Sequence, residues 1–371
     1  MSEPTITPDI MRISWGPQHP MSGQTRILLD LDGEKIHKIT ADLGFTHRGM
    51  EKILENRTFL KGIIPIERMA MIDTPNIGIG YVMATEEVLG IEVPERANWI
   101  RSLVCEMSRI SSHLYAFGLQ VEATGFFPAV FLWTTADRVL LLDLLEELTG
   151  ARFSYNFFLP GGVMKDLPEG FEDRVIEIVH YLRRRFKDYW TAMIENVLFE
   201  IRCNDVGILT PEDAIRLGAC GPVVRGSGQP IDVRRDEPYA AYADLDFDVI
   251  TEPACDSMAR TKVRFREIGE SLKMMEQIAN EIPGGPIRTR FPLFTRSKPG
   301  EAYSRVETAR GEMGIHMFTN VGMNPYRVKI NSPSLRHMYI FERLCELDRM
   351  TMADVPVVVN SLDVWYLDAD R

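Results

Sequence analysis

The sequence predicts an α+β fold: a central bundle of long helices, an N-terminal antiparallel β-sheet and a small C-terminal α+β region. Three observations carry this expectation. Alternating residues flank an Asp32-Gly33 turn signal near the start. Long stretches with helical spacing fill the middle. After residue 305 the pattern changes to short strands and short helices.

Taken in order, Arg26 to Leu31 and Ile36 to Ala41 read as strands joined by Asp32-Gly33, because a tight type I′ hairpin needs positive φ. Met11 to Trp15 is expected to extend this sheet. In Glu95 to Gly118, Ile100, Leu103, Val104, Met107, Ile110 and Leu114 recur on one helical face, and Pro94 stands where a helix start tolerates it. Ala129 to Leu148 is apolar nearly all round, as in a bundle core. Pro168 to Asn196 reads as a long charged helix. Asp256 to Ile282 reads as another, with Ile268, Leu272, Met275 and Ile278 on one face and Pro283-Gly284-Gly285-Pro286 ending it. Gly314 to Phe318 and Tyr326 to Ile330 read as strands, followed by two short helices. The expected division is 1–60 for the N-terminal β region, 61–304 for the bundle and 305–371 for a C-terminal region that closes a cavity.

The chain of 371 residues is 45% hydrophobic and 26% charged, an ordinary globular balance. Its net charge of -11 argues against a nucleic-acid surface. No apolar run reaches the roughly 18 residues that span a bilayer. The segment from Phe126 to Leu148 is interrupted by Asp137, Arg138 and Asp143. The start, with Glu3 and Asp9, lacks the layout of a signal peptide. Cys105, Cys203, Cys220, Cys255 and Cys345 are scattered, with no CxxC pair, and read as free thiols. Gly221 to Gly228 is glycine-rich but lacks the Gly-Lys-Ser/Thr ending of a phosphate loop, and GxGxxG is absent. Nucleotide and flavin chemistry is therefore expected elsewhere.

Several short motifs run through the chain. They include Trp15-Gly16-Pro17-Gln18-His19-Pro20, His47-Arg48-Gly49-Met50-Glu51-Lys52, Ser108 to Leu114, Gly221 to Gly228, Arg310 to Gly314 and the final Ser361 to Arg371. In this order they resemble the quinone-site (49 kDa) subunit of respiratory complex I and of related archaeal complexes. That subunit is related to the large subunit of nickel–iron hydrogenases. The resemblance implies the hydrogenase large-subunit fold. It also separates the two chemistries. Hydrogenases carry two cysteine pairs where this chain has Ala70, Asp73, Trp365 and Asp368. Alanine and tryptophan offer nickel no ligand, so the thiolate site is gone.

By resemblance, the chain binds no cofactor alone. A small iron–sulfur subunit would pack against it, and that partner's [4Fe–4S] cluster would feed a quinone or phenazine-like carrier in the cavity between them. Other peripheral-arm and membrane-arm subunits are implied, with the chain peripheral on the cytoplasmic side of the cell membrane. The chain departs from the complex I pattern in places. No histidine follows within Met21 to Thr25, Met71 stands at the tyrosine position, Ser154 at that of a histidine near the cluster, and Ala123, beside Glu122, at that of an acid. Archaeal deazaflavin-oxidising relatives share some of these losses. A low-potential carrier, menaquinone or phenazine-like, is therefore expected. The rivals are a non-quinone acceptor on the same fold, and a structural subunit that links the arms.

The candidate catalytic residues are His19, Asp73, Arg68 and Glu122. His19 reads as facing the cavity or as pinning the turn. Arg68 reads as a cation near the cluster or as a plain ion pair. Asp73 reads as a proton path or as a helix cap. Glu122 is expected near the cavity. Met71, Ser22, Trp365 and Asp368 are the candidate acceptor-binding residues, with Met21 to Thr25 as a mobile loop that closes the site. Apolar walls with few polar groups suit such a cavity. His113, next to the apolar face of its helix, reads foremost as a satisfied core histidine.

Overall fold

A computed structural model describes residues 10–19, 24–125, 128–292, 295–347 and 350–371. The N-terminal strands β1 (Met11–Trp15), β2 (Arg26–Asp32) and β3 (Lys35–Asp42) form one antiparallel sheet in the order β1-β2-β3. The hairpin turn sits one residue later than expected, because Asp32 pairs with Lys35. Only Gly33 there has positive φ, at 63°, which suits a turn with glycine first rather than a type I′ turn. A register shift after Asp30 leaves His37 as the extra residue.

Short helices α1 (Met50–Glu55) and α2 (Ile63–Glu67) lead into α3 (Thr74–Leu89). The bundle continues with α4 (Glu95–Ala123) and α5 (Pro128–Thr149). A two-stranded hairpin, β4 (Phe158–Leu159) with β5 (Gly162–Val163), precedes α6 (Phe171–Tyr189), which runs into a π-helical turn over Trp190–Ile194. Then come α7 (Val197–Cys203), α8 (Pro211–Arg216), α9 (Pro222–Arg225), α10 (Val233–Asp236) and the long α11 (Ser257–Glu281). Asp256 caps α11 by accepting from the Ala259 N–H at 2.7 Å. The C-terminal part holds an antiparallel sheet, β6 (Gly300–Thr308), β7 (Gly311–Thr319) and β8 (Arg327–Asn331). Helices α12 (Pro333–Leu347), α13 (Val355–Leu362) and α14 (Tyr366–Ala369) follow.

The helix α3 is not evident in the sequence, because it is buried nearly all round and so lacks a polar face. It lies against β6 and β7. A Cβ at Gly80 would meet Val306 Cγ2 at 3.2 Å, so glycine allows that approach. Two apolar cores result. The larger joins α3, α4, α5, α6 and α11 to the C-terminal sheet. The smaller joins the N-terminal sheet (Ile27, Leu29, Ile39) to α12 and α13 (Phe341, Leu344, Val358). The glycine run at 221–228 serves packing. Gly221 has φ 62°, and a Cβ there would stand 2.3 Å from the Cα of Gly311. Cys105, Cys203 and Cys220 are buried free thiols, and Cys255 is partly exposed.

Candidate functional site

A cavity of about 610 Å³ opens where the start of the chain meets its end. That volume suits a ring-sized organic group. Its wall includes His19 and Thr46 from the N-terminal region, Met71 before α3, Tyr115 on α4, Arg310 after β6 and Trp365 before α14. Two sets of bonds hold these walls together. Arg48 Nη1 donates to the Arg68 carbonyl at 2.9 Å, and Nη2 to the carbonyls of Met69 at 3.2 Å and Leu367 at 3.4 Å. The two segments that carry thiolate pairs in hydrogenases are thus tied to each other through one guanidinium. The Asp370 carboxylate accepts from the N–H groups of Gly44 and Thr46, each at 2.8 Å, and from the Thr46 hydroxyl at 2.6 Å.

One end of the cavity is polar. Arg310 Nη2 reaches Asp363 Oδ1 at 3.4 Å, and the same guanidinium lies 5.4 Å from the Trp365 ring centroid. Arg264 Nε approaches Asp363 Oδ2 at 3.9 Å from behind. Asp363 holds left-handed backbone at φ 52°, ψ 51°, a conformation that costs a non-glycine residue about 1 kcal/mol or more. Strain of that kind is kept where a side chain must point one way. Arg310 Nε, Trp365 Nε1, the Tyr366 hydroxyl and Asp363 Oδ2 are all buried without a hydrogen-bond partner among the described residues. Buried polar atoms are normally satisfied, so this cluster can take a polar group from a ligand.

The other candidates fall at different depths. Met71 is 50% exposed and Trp365 half-buried, and both line the cavity. His19 lies between this cavity and a smaller one of about 220 Å³, which Glu122 and Ala123 line. The His19 ring meets Trp15 edge-on at 5.0 Å. Asp368 is buried behind the wall with Oδ1 unpartnered among the described residues. Burial pushes its carboxyl up to about 6, against the pull of Arg310. Asp73 is fully buried and does not line the cavity. Its Oδ1 accepts from Asn76 Nδ2 at 2.6 Å and Ser108 Oγ at 3.1 Å, and its Oδ2 from the Ala309 N–H at 2.6 Å. Asp73 occupies the N-cap position of α3, yet its side chain makes no capping bond. Arg68 is exposed, and among the described residues its guanidinium makes no ion pair. Ser22 and most of the Met21 to Thr25 loop lie outside the described residues. His113 is buried with Nε2 3.1 Å from Glu267 Oε2, as a core histidine would be.

Arg48, Tyr115 and Arg310 are cavity residues that no sequence signal singles out. Arg48 and Arg310 stand inside family motifs, but nothing in a linear motif says where a guanidinium points. Glu67 is equally silent in the sequence, and it is buried and accepts from the Asn156 N–H at 2.6 Å. Burial raises that carboxyl to about 8. The bond anchors the loop that carries Ser154, whose φ is 50°. No group of three or more His, Cys, Asp or Glu among the described residues could hold a metal ion.

Known proteins resemble this chain over almost its whole length. The sequence model of the family described as "Respiratory-chain NADH dehydrogenase, 49 Kd subunit" matches residues 125–298 and 291–371. A subunit of the F(420)H(2) dehydrogenase of Methanosarcina mazei is 38% identical over 368 residues, covering 97% of this chain and 98% of that one. A subunit of the NADH-quinone oxidoreductase of Desulfotalea psychrophila is 38% identical over 376 residues, covering both chains in full, 100% and 100%. Among solved structures, a chain of the membrane-bound sulfane sulfur reductase, described as an archaeal respiratory membrane complex, superposes with a TM-score of 0.94 at 34% identity. That match covers 99% of this chain and 100% of that one.

Proposed function

Because the chain belongs to the family of the 49 kDa subunit of respiratory-chain NADH dehydrogenase, we propose that it forms the acceptor cavity of a complex I-like, ion-translocating oxidoreductase. A small iron–sulfur partner delivers electrons one at a time, and a low-potential lipid carrier, menaquinone or phenazine-like, receives them in the cavity. The likeness to a subunit of an F(420)H(2) dehydrogenase supports the low-potential choice. No described helix is long and apolar enough to cross a membrane. In this reading the chain is peripheral on the cytoplasmic side and reaches the lipid phase through membrane-arm partners.

The observation that carries this reading is the group of unpartnered polar atoms beside the apolar part of the cavity wall, formed by Met71, Leu119, Val359 and Trp365. Met71 and Trp365 offer flat, apolar contact to a ring. Trp365 Nε1 and the Tyr366 hydroxyl have no partner among the described residues and can donate to ring carbonyl or ring nitrogen atoms. Arg310 supplies a fixed positive charge where the reduced carrier becomes negative, which lowers the free energy of that state. His19, at the cavity wall, and Asp368, behind it, are groups able to hold a proton. Glu122 acts through the smaller cavity beside His19. Asp73 acts by position, since its hydrogen bond to Ala309 sets the turn that carries Arg310. Around Arg68, the exposed Ile64, Met71 and Phe153 give an apolar rim suited to the iron–sulfur partner.

A second reading keeps the cavity and changes the acceptor. It rests on the structural likeness to a sulfane sulfur reductase and on Met71, which has no proton to give. The two separate in one experiment. The intact complex, purified through this chain, is supplied with a low-potential donor and offered ubiquinone, menaquinone, a phenazine analogue or polysulfide. Reduction of menaquinone or the phenazine is the expected result. Reduction of polysulfide alone would favour the second reading. A complex whose clusters fill but reduce nothing would point to a subunit that only links the arms.

A further inference from the structure

Behind the polar end of the cavity lies a set of buried charges that the chemistry above does not use. Arg225 Nε binds Glu267 at 2.7 Å and its Nη1 binds Glu307 at 2.8 Å, with Asp232 at 3.4 Å. Arg234 pairs with Asp232 at 2.7 Å and with Glu106 at 3.2 Å, and Arg109 pairs with Glu106 at 3.1 Å. Three guanidiniums therefore face four carboxylates, in full burial. His113 adds no charge to this set, because burial lowers its proton affinity despite the bond to Glu267. At the cavity end Arg264 and Arg310 face Asp363, and Asp368 lies within reach of the same Arg310. Arg264 joins the two sets, since it senses Asp363 and Arg310 on one side and Glu267 and Arg225 on the other. The rear thus carries one negative charge in excess, and the front has no spare negative charge only as long as both of its arginines stay paired.

We propose that this rear cluster binds one proton, on Glu307, when the acceptor at the cavity end gains negative charge. The inference rests on the acceptor reading above and extends it to a residue that does not touch the acceptor. The argument is one of charge. An electron arriving on the acceptor adds a negative charge beside Arg310 and Arg264 and draws on the positive charge that also faces the rear. The negative excess behind them is then uncompensated in a medium that screens poorly, and a proton from solvent restores the balance. One electron passes from the partner's iron–sulfur cluster to the acceptor, and one proton passes from water to the Glu307 carboxylate. Protonation of the acceptor itself later releases it.

The choice of Glu307 follows from its partners. Glu106 is held by two arginines, by Tyr242 at 2.6 Å and by Ser271 at 2.6 Å. Asp232 has the paired fork of Arg234, at 3.0 and 2.7 Å. Glu267 has Arg225 and His113. Glu307 has one short bond, from Arg225, and a long one of 3.4 Å from the Val233 N–H. Tyr239 from the following loop reaches only the backbone of Glu307, as does Arg109. Burial then raises the Glu307 carboxyl to about 7 although Arg225 opposes it, while Arg225 is the strongest influence holding Glu267 low. Glu307 also stands three residues before Arg310, on the strand end whose turn Asp73 fixes.

The test is an infrared pH titration of the intact complex at rest, with no acceptor present. In the difference between the native complex and Glu307→Gln, which cancels the buried carboxyls of Glu67 and Asp368, a protonated-carboxyl band with a midpoint near neutrality is expected. In Arg310→Gln, with the front charge removed, the midpoint should move to higher pH. In Arg310→Lys, which keeps the charge, it should stay. A native-minus-Glu307→Gln difference without that band, or a midpoint indifferent to Arg310→Gln, overturns the proposal whatever the acceptor proves to be. During turnover with the carrier that the complex reduces, the native rate should fall as pH rises through the neutral range, and Glu307→Gln should be flat there. A merely structural Glu307 would lower the rate in the variant without changing its pH profile.

Discussion

Replacing Asp73 separates a structural bond from a proton path. Its two oxygens serve three donors: Asn76 Nδ2, Ser108 Oγ and the Ala309 N–H. In Asp73→Ala all three lose their acceptor inside a site that water does not reach. The Asn76 and Ser108 side chains can turn to other partners; Asn76 already bonds the Cys105 carbonyl at 3.1 Å. The Ala309 N–H cannot turn. A buried orphan costs about 1–3 kcal/mol, so the substitution should destabilise the chain by about 3–5 kcal/mol in all. Asp73→Asn keeps one oxygen and presents an amide to the remaining donors, for a loss of about 1–2 kcal/mol. Denaturant unfolding of the full chain measures both, and pull-down of the complex reports assembly. If Asp73→Ala unfolded at the native denaturant midpoint, assembled fully and yet lost turnover, the bonding argument would be wrong and Asp73 would be a proton conduit.

Three further outcomes follow from the same geometry. Arg310→Gln, in an assembled complex, should lower carrier reduction by about 10²–10³-fold, the usual cost of losing one preorganised charge or donor, while Arg310→Lys should recover part of it. Glu67 has a folded-state carboxyl raised by burial from 4.5 to about 8, so its contribution to stability is complete below the lower value and is lost as pH rises toward the upper one. Glu67→Gln keeps an acceptor for Asn156 without a charge; unfolding curves should show it more stable than the native chain at pH 8, by up to about 4 kcal/mol, with no advantage at pH 4. Gly221→Ala places a methyl group in the backbone of Gly311 and should cost about 3 kcal/mol or more, read as loss of soluble full chain or a lower melting temperature.

The long amphipathic helices were legible because burial of one face leaves a period in the sequence. The helix expected from Asp256 to Ile282 has Asp256 as its cap and Ser257–Glu281 as its body. The stretch expected to end at Gly118 runs on to Ala123, because Gly118 packs against Phe131 and Thr134 rather than stopping the helix. The helix α3 left no such period. Its glycines are explained only by its position, Gly78 facing Glu67 and Gly80 facing the C-terminal sheet. For the cavity, Met71 and Trp365 could be placed from their motif positions. The direction of Arg48, and the carboxylates gathered around Arg310, depend on residues far apart in the chain. No local pattern carries that information.

The bonds from Asp370 to Gly44 and Thr46 span 326 and 324 positions. The smaller core has the same reach, since β2 and β3 find their apolar partners only in α12 and α13. Contacts of such separation carry the largest loop-closure entropy and form late in folding. Helices of the middle can pair before the two ends meet, so a partly folded chain holds much of its bundle with no finished cavity. An electron that reached such an intermediate would find no place to reside. Long-range closure therefore acts as a check on synthesis: the cavity is complete only once residues 44–46 and 363–370 have been brought together.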